Sequence, residues 1–284
     1  MSHRHIFENF DWAETRGKKL VIFMPNYMWA NLTEFSINQI QTRVDPEDYL
    51  IIVGNDNVDT DWSHLWDKRV RYFTIFREDT GPRNSCFVRN YAIKRCLGCE
   101  KFLNKDGEVV LIGDFISNII DSPKSWRPGI IYVLDETQTK NLLLATSVEE
   151  ILPAFPVTKY IELLESENSY VVKEIIEQAD GRVNPSTYYH YAYSTDHEVL
   201  YKIRGYDEDY ITYGWEDSDM FIRLFHLGYH IIPDYNCAAI HPWHFRRADT
   251  AEEVEANMRD IFVSKSPADY FRNLGSWGDG YRNA

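Results

Sequence analysis

The chain has 284 residues, 44% of them apolar and 26% charged, which is long enough for a substantial buried core and ordinary for a globular fold. Lys and Arg number 30 against 44 Asp and Glu, a formal net charge of −14 that no basic run reverses locally, and this argues against nucleic acid as a partner. The polar opening MSHRHIFENFDWAETRGKK lacks the apolar centre of a signal peptide and no stretch approaches the roughly 18 apolar residues of a bilayer span, so a cytoplasmic protein without a transmembrane segment is expected.

In chain order, KKLVIFMPNY at 18–27 predicts a buried strand that Pro25 ends. Residues 31–42 predict a short helix. DYLIIVGNDN predicts a second strand through Val53, with Gly54, Asn55 and Asp56 as loop formers. RVRYFTIF predicts a third strand. A helix over Ser85–Leu97 follows from Val88, Ala92, Ile93, Cys96 and Leu97 sharing one face. GEVVLIGDF predicts a fourth strand that stops at Gly113-Asp114. Strands alternating with helices predict an α/β fold whose central sheet is mostly parallel and flanked by helices. In such sheets ligands gather beyond the carboxyl ends of the strands, where Asn26, Asp56 and Asp114 fall.

Further along, SPKSWRPGIIYVLDETQTKNLLLA predicts more strands and turns, and SYVVKEIIEQA has helical spacing. TDHE at 195–198 predicts a capping box with Thr195 as N-cap and Glu198 at N3. Met220, Phe221, Leu224, Phe225 and Leu227 form a helix face that Gly228 stops. YHIIP and CAAIHPWH read as two short strands, the second ending in His241 and His244, and an amphipathic helix covers 251–262. No repeat or linker interrupts the chain, so one domain is expected over 1–284. Four cysteines form no evident disulfide framework. Cys96-Leu-Gly-Cys99 has the spacing of a metal or redox motif, but it lacks a second pair, and Cys96 on an apolar face favours a structural role.

The stretch YGWEDSDMFIRL at 213–224 sets Glu216, Asp217 and Asp219 almost side by side. Acids in a first helical turn gain about 0.3–1 kcal/mol each from the helix dipole, but three exceed what capping needs. Gly214-Trp215 ahead of them supplies a turn and a flat apolar wall, beside which a carboxylate is a sensible general base. An acid at one strand end with a histidine at another is reasonable coordination for a divalent cation.

RGYDEDYITYGWEDSDMFIRLFHLGYHI resembles the acceptor-side signature of inverting glycosyltransferases with the GT-A fold, family 2-like with the galactosyltransferase-type G-W-E-D-x-D motif. The matching residues are Gly205-Tyr206-Asp207-Glu208, Gly214-Trp215-Glu216-Asp217-Ser218-Asp219, Arg223-Leu224 and Gly228. The resemblance extends more loosely over about 20–245. It implies a nucleotide-diphospho-sugar transferase fold, with 18–115 as nucleotide-binding half, 116–250 as acceptor and catalytic half, and 251–284 as C-terminal helix and tail. Pro25, Asn26, Tyr27, Asp56, Arg89, Asn90 and Gly113 would line the nucleotide, with Arg83 a further cation near the phosphates. Ile112-Gly113-Asp114 takes the place of the family's D-x-D with its first acid missing. Asp114 and His241 would then hold Mn2+ or Mg2+, with His244 as the alternative histidine. Asp217 would be the general base, Glu216, Asp219 and Gly214 would bind sugar, and Trp215 would face a sugar ring. The implied activity is metal-dependent transfer of a sugar from a UDP-sugar donor to the hydroxyl of a glycan or other acceptor, with inversion. The alternative is a catalytically degenerate nucleotide- or sugar-binding module of the same fold. A sugar nucleotidyltransferase is disfavoured, because MPNYMWANLTE has no glycine to cradle phosphate.

Overall fold

The computed structural model describes residues 4–40, 44–77, 85–122, 125–145, 148, 191–210, 215–229, 231–245, 259–265, 273 and 277–278. The strands are β1 (Arg4–Glu8), β2 (Leu20–Asn26), β3 (Tyr49–Asp56), β4 (Val70–Arg77), β5 (Lys101–Lys105), β6 (Val110–Ile112), β7 (Ser125–Val133), β8 (Ala192–Asp196) and β9 (Ile231–His241). The helices are α1 (Ala30–Asn38), α2 (Ser85–Arg95), α3 (Phe115–Asp121), α4 (Glu136–Leu144), α5 (His197–Lys202) and α6 (Glu216–His226), and 259–264 is also helical.

The nine strands form one sheet in the order β1-β4-β3-β2-β5-β8-β7-β9-β6. β4, β3, β2 and β5 run parallel, as do β7 and β9, whereas β1, β6 and β8 pair antiparallel with their neighbours. The sheet is therefore mixed, with its parallel part confined to the first half and the β7–β9 pair. Alternate residues of β2 divide between two cores: Val21 and Phe23 pack on one face with α2, α5 and α6, and Leu20, Ile22 and Met24 on the other with α3. Coverage on both faces is why β2 and β3 read as unbroken apolar runs.

Four expectations change. β3 continues through Gly54, Asn55 and Asp56, which the sequence reading made a loop. A Cβ on Gly54 would lie 2.6 Å from Val88 and 2.8 Å from Phe73, so this glycine lets α2 lie against the sheet. KFLNK forms β5, the parallel neighbour of β2, a strand hidden by its two lysines and asparagine. The two short strands expected near 230–244 are one long β9. β8 runs through Thr195, so the N-cap of α5 is Asp196, and no side chain caps it.

A capping box does occur at α4, built from Asp135 and Gln138. The expected helical spacing near 169–179, and residues 251–258 of the expected last helix, lie outside the described residues. Among those described, all four cysteines are free and buried, and no helix is long and apolar enough to cross a membrane.

Candidate active site

α6 begins directly after Trp215, whose φ of 68° puts a bulky residue in the left-handed region at a cost of roughly 1–2 kcal/mol. Its ring is held 4.9 Å from that of Phe262 in the 259–264 helix. This strained turn aims the first acids of α6 at α2, where Arg89 lies fully enclosed. Arg89 donates from Nη2 to Asp106 Oδ1 at 2.9 Å, from Nη1 to Ser85 Oγ at 2.8 Å and from Nε to Asn104 Oδ1 at 3.2 Å. Glu216 Oε1 lies 3.8 Å from Nη1, and the guanidinium stands 5.0 Å over the Tyr206 ring. Burial works against the Arg89 charge, but Tyr206, Asp217, Asp106 and Glu216 outweigh it and raise the pKa.

Asp217 completes the cluster. Its Oδ1 is enclosed and has no hydrogen-bond partner among the described residues, although the residue as a whole is only half-buried. Burial pushes its carboxyl up; Arg89 and the Tyr206 hydroxyl pull it down, Glu216 and Asp106 push it further, and the result is about 8. A carboxylate that takes a proton near neutral pH has the affinity a general base needs.

A second group meets beyond the carboxyl end of β5. Ligand atoms of Glu108, His241 and His244 lie within 4.8 Å of one another. Nε2 of His244 is 3.2 Å from Glu108 Oε1, while its Nδ1 is enclosed without a partner among the described residues. The His241 ring packs 4.3 Å from Tyr191 and 5.3 Å from His244. Gly107 seats this loop on the end of β2: a Cβ there would lie 2.6 Å from the Pro25 carbonyl oxygen. Lys105 lies beneath, donating to Ser36 Oγ and to the carbonyls of Asp106 and Gly107 at 2.9, 2.9 and 3.3 Å, and also to that of Val109. Burial lowers its pKa to about 7 against the pull of Glu108 and Asp106. One carboxylate and two imidazoles with an orphaned nitrogen suit a divalent cation.

The structure redistributes several expected site residues. Asp114 is exposed at the start of α3, beside the middle of β9 and away from His241 at its end, because β6 runs antiparallel to β9 with Ile112 opposite Ala238. Gly113, at φ 94°, would place a Cβ 2.6 Å from the Asn236 carbonyl, and Asn236 to His241 spans roughly 15 Å of extended strand. Asp114 and His241 therefore cannot share an ion, and Gly113 lies as far from the cluster. The carboxylate that the structure brings to His241 and His244 is Glu108.

Asn90 donates to the Tyr206 carbonyl and Glu208 Oε1 and accepts from the Tyr206 N–H at 2.7 Å, which bolts α2 to the 205–208 turn. A Cβ on Gly205 would lie 2.1 Å from its Oδ1. Asp219 accepts from Arg223 Nε at 2.7 Å with both side chains buried.

Pro25, Asn26 and Asp56 do lie at the carboxyl ends of β2 and β3, with Tyr27 next in the chain. Asn26 donates to Asn55 Oδ1 at 2.9 Å, and Asp56 faces Arg77 at 3.2 Å. Gly214 and Arg83 lie outside the described residues. The sequence reading missed Asp106 and Glu108. Their signal was an acid pair spaced D-x-E straight after Asn104-Lys105, obscured because Gly107-Glu108 was read as the opening of the next strand.

Residues 176–242 match the family described as the N-terminal domain of galactosyltransferase. No curated protein matches the chain by sequence. Among solved structures, a mannosyltransferase from Pyrobaculum calidifontis, in complex with GDP-Man and Mn2+, is similar over 90% of this chain and 68% of its own at 14% identity and a TM-score of 0.54. The chain therefore has the fold of a GT-A glycosyltransferase, and its residues 176–242 are similar to the N-terminal domain of galactosyltransferase.

Proposed function

We propose that the protein is a metal-dependent glycosyltransferase that moves a sugar from a nucleotide sugar to an acceptor hydroxyl with inversion, Asp217 acting as general base. The observation that carries this reading is the enclosed Oδ1 of Asp217, without a hydrogen-bond partner among the described residues and held beside Glu216 and Arg89 at the carboxyl side of the sheet. An acceptor hydroxyl is far too weak an acid to ionise alone, so its proton must pass to a base as the oxygen attacks. Asp217 Oδ1 takes that proton. Glu216 receives sugar hydroxyls, and Trp215 gives a sugar ring an apolar face. Arg89 keeps the three acids Asp106, Glu216 and Asp217 in place and is itself tied up in doing so.

Glu108, His241 and His244 would hold the cation, Mn2+ or Mg2+ by their donor set. When bound, it supplies the positive charge that stabilises the departing nucleoside diphosphate. Pro25, Asn26, Tyr27 and Asp56 would line the nucleotide. UDP is the nucleotide the sequence resemblance favours, and the GDP-Man of the archaeal mannosyltransferase makes GDP the rival.

Calorimetric titration of UDP and of GDP into the protein, with and without Mn2+, tests this reading. Mn2+-dependent binding of UDP, followed by turnover of a UDP-sugar, is expected. Binding of GDP alone would replace the nucleotide and keep the reaction. Metal-dependent binding without turnover of any donor would favour the binding module, and no nucleotide binding at all would overturn the proposal.

A further inference from the structure

At the opposite end of β5, a cluster lies outside the site just described. Cys96 follows the last turn of α2, Cys99 precedes β5, and His197 opens α5. Ligand atoms of the three lie within 4.8 Å of one another, and all three residues are buried. Gly98, at φ 75°, makes the turn that folds one sulfur back toward the other. Nε2 of His197 is 2.7 Å from the Ile93 carbonyl oxygen, which can only accept. In the neutral ring that contact fixes the proton on Nε2 and leaves the Nδ1 lone pair for the sulfurs. An imidazole that donates its other N–H to a backbone carbonyl is the arrangement found in metal-ligating histidines.

We infer that Cys96, Cys99 and His197 form a second metal site that takes a thiophilic divalent cation such as Zn2+. Two sulfurs and one imidazole select a softer ion than the carboxylate and imidazoles at the other end of the strand. Binding displaces the two thiol protons to solvent, and the two thiolates then cancel the charge of the ion. A buried site that ends neutral avoids the cost of an uncompensated charge. The ion would tie the end of α2, the start of β5 and the start of α5 together, anchoring from behind the helix that carries Arg89. Three protein ligands leave one position for water, and the burial of all three points to a structural site.

The test is Co2+ titration of the reduced full-length protein, read by thiolate-to-cobalt absorption in the near ultraviolet, for the wild type, Cys99→Ser and Glu108→Gln. The expected result is absorption saturating at about one equivalent, absent in Cys99→Ser, unchanged in Glu108→Gln and reversed by excess Zn2+. Absence of the absorption in the wild type overturns the proposal, and that measurement needs no variant to fold. So does its persistence in Cys99→Ser, which would place its source in sulfurs outside this cluster. Cys96–Cys99 disulfide formation by protein incubated with Zn2+, seen by mass with no metal retained, overturns it as well.

Discussion

The two ends of β5 carry opposite solutions to holding charge. At the carboxyl end, oxygen and imidazole groups gather on a loop that Gly107 seats against β2, with Asp217 Oδ1 and His244 Nδ1 left unpartnered. At the amino end, two sulfurs and an imidazole are packed away, with the imidazole oriented by a backbone carbonyl. An unpartnered buried polar atom destabilises a fold by about 1–3 kcal/mol, so each of these two marks a place where a ligand is expected to complete the structure. The buried sulfur end needs no substrate to be complete.

The sharpest way to break this contrast is Asp217→Asn. It should lower the transfer rate by about 10²–10⁴-fold while leaving nucleotide affinity nearly unchanged. Rate measurement beside calorimetry checks it, and transfer that survives removes Asp217 as base. Glu108→Gln should weaken Mn2+-supported nucleotide binding by about 10–100-fold, in line with the loss of a metal-supporting group, and have little effect on binding without metal.

Asp219→Asn tests whether the third acid is structural. It strips the charge partner from the buried Arg223 and should cost about 3–5 kcal/mol in denaturant unfolding, without selective loss of sugar affinity. An intact fold with a raised acceptor KM would return Asp219 to the sugar site.

The pH profile follows from Asp217. A base must be ionised to work, so kcat/KM should rise with pH and level off above about 8. Its effect on stability has the opposite sense. The folded state holds the proton more tightly than the unfolded state, whose carboxyl sits near 3.8, so stability from this group is full at acid pH and is lost as pH rises toward about 8. Asp217→Asn should flatten both curves. The smallest effect is expected from Cys99→Ser, which should change the transfer rate by no more than about twofold while removing protection by Zn2+ against thermal unfolding.

Much of this was legible locally. The apolar runs of β2 and β3, the helix that begins at Glu216 and its stop at Gly228, where φ is 86° and Tyr229 N–H reaches back to the Leu224 carbonyl, are written in short windows of sequence. So was the strand-end position of His241. What misled was also local. Asp114 follows an apolar strand and looks like a ligand, yet its strand pairs antiparallel at the sheet edge. KFLNK looks like a loop, yet its lysines are buried: Lys101 meets Asp196 and Lys105 meets carbonyl oxygens. Asn90 and Asp219 have residue types that suit ligands, and their partners, Tyr206 with Glu208 and Arg223, lie in the protein itself.

The sequence by itself therefore determined the apolar strands, the α/β class and the presence of an acid-rich helix start, because periodicity and turn chemistry act over a few residues. Only the tertiary structure decided which acid joins which histidine, since strand order and direction are set by pairing between distant segments. Glu108 meets His241 and His244, and Cys96 and Cys99 meet His197, through that sheet and not through spacing along the chain.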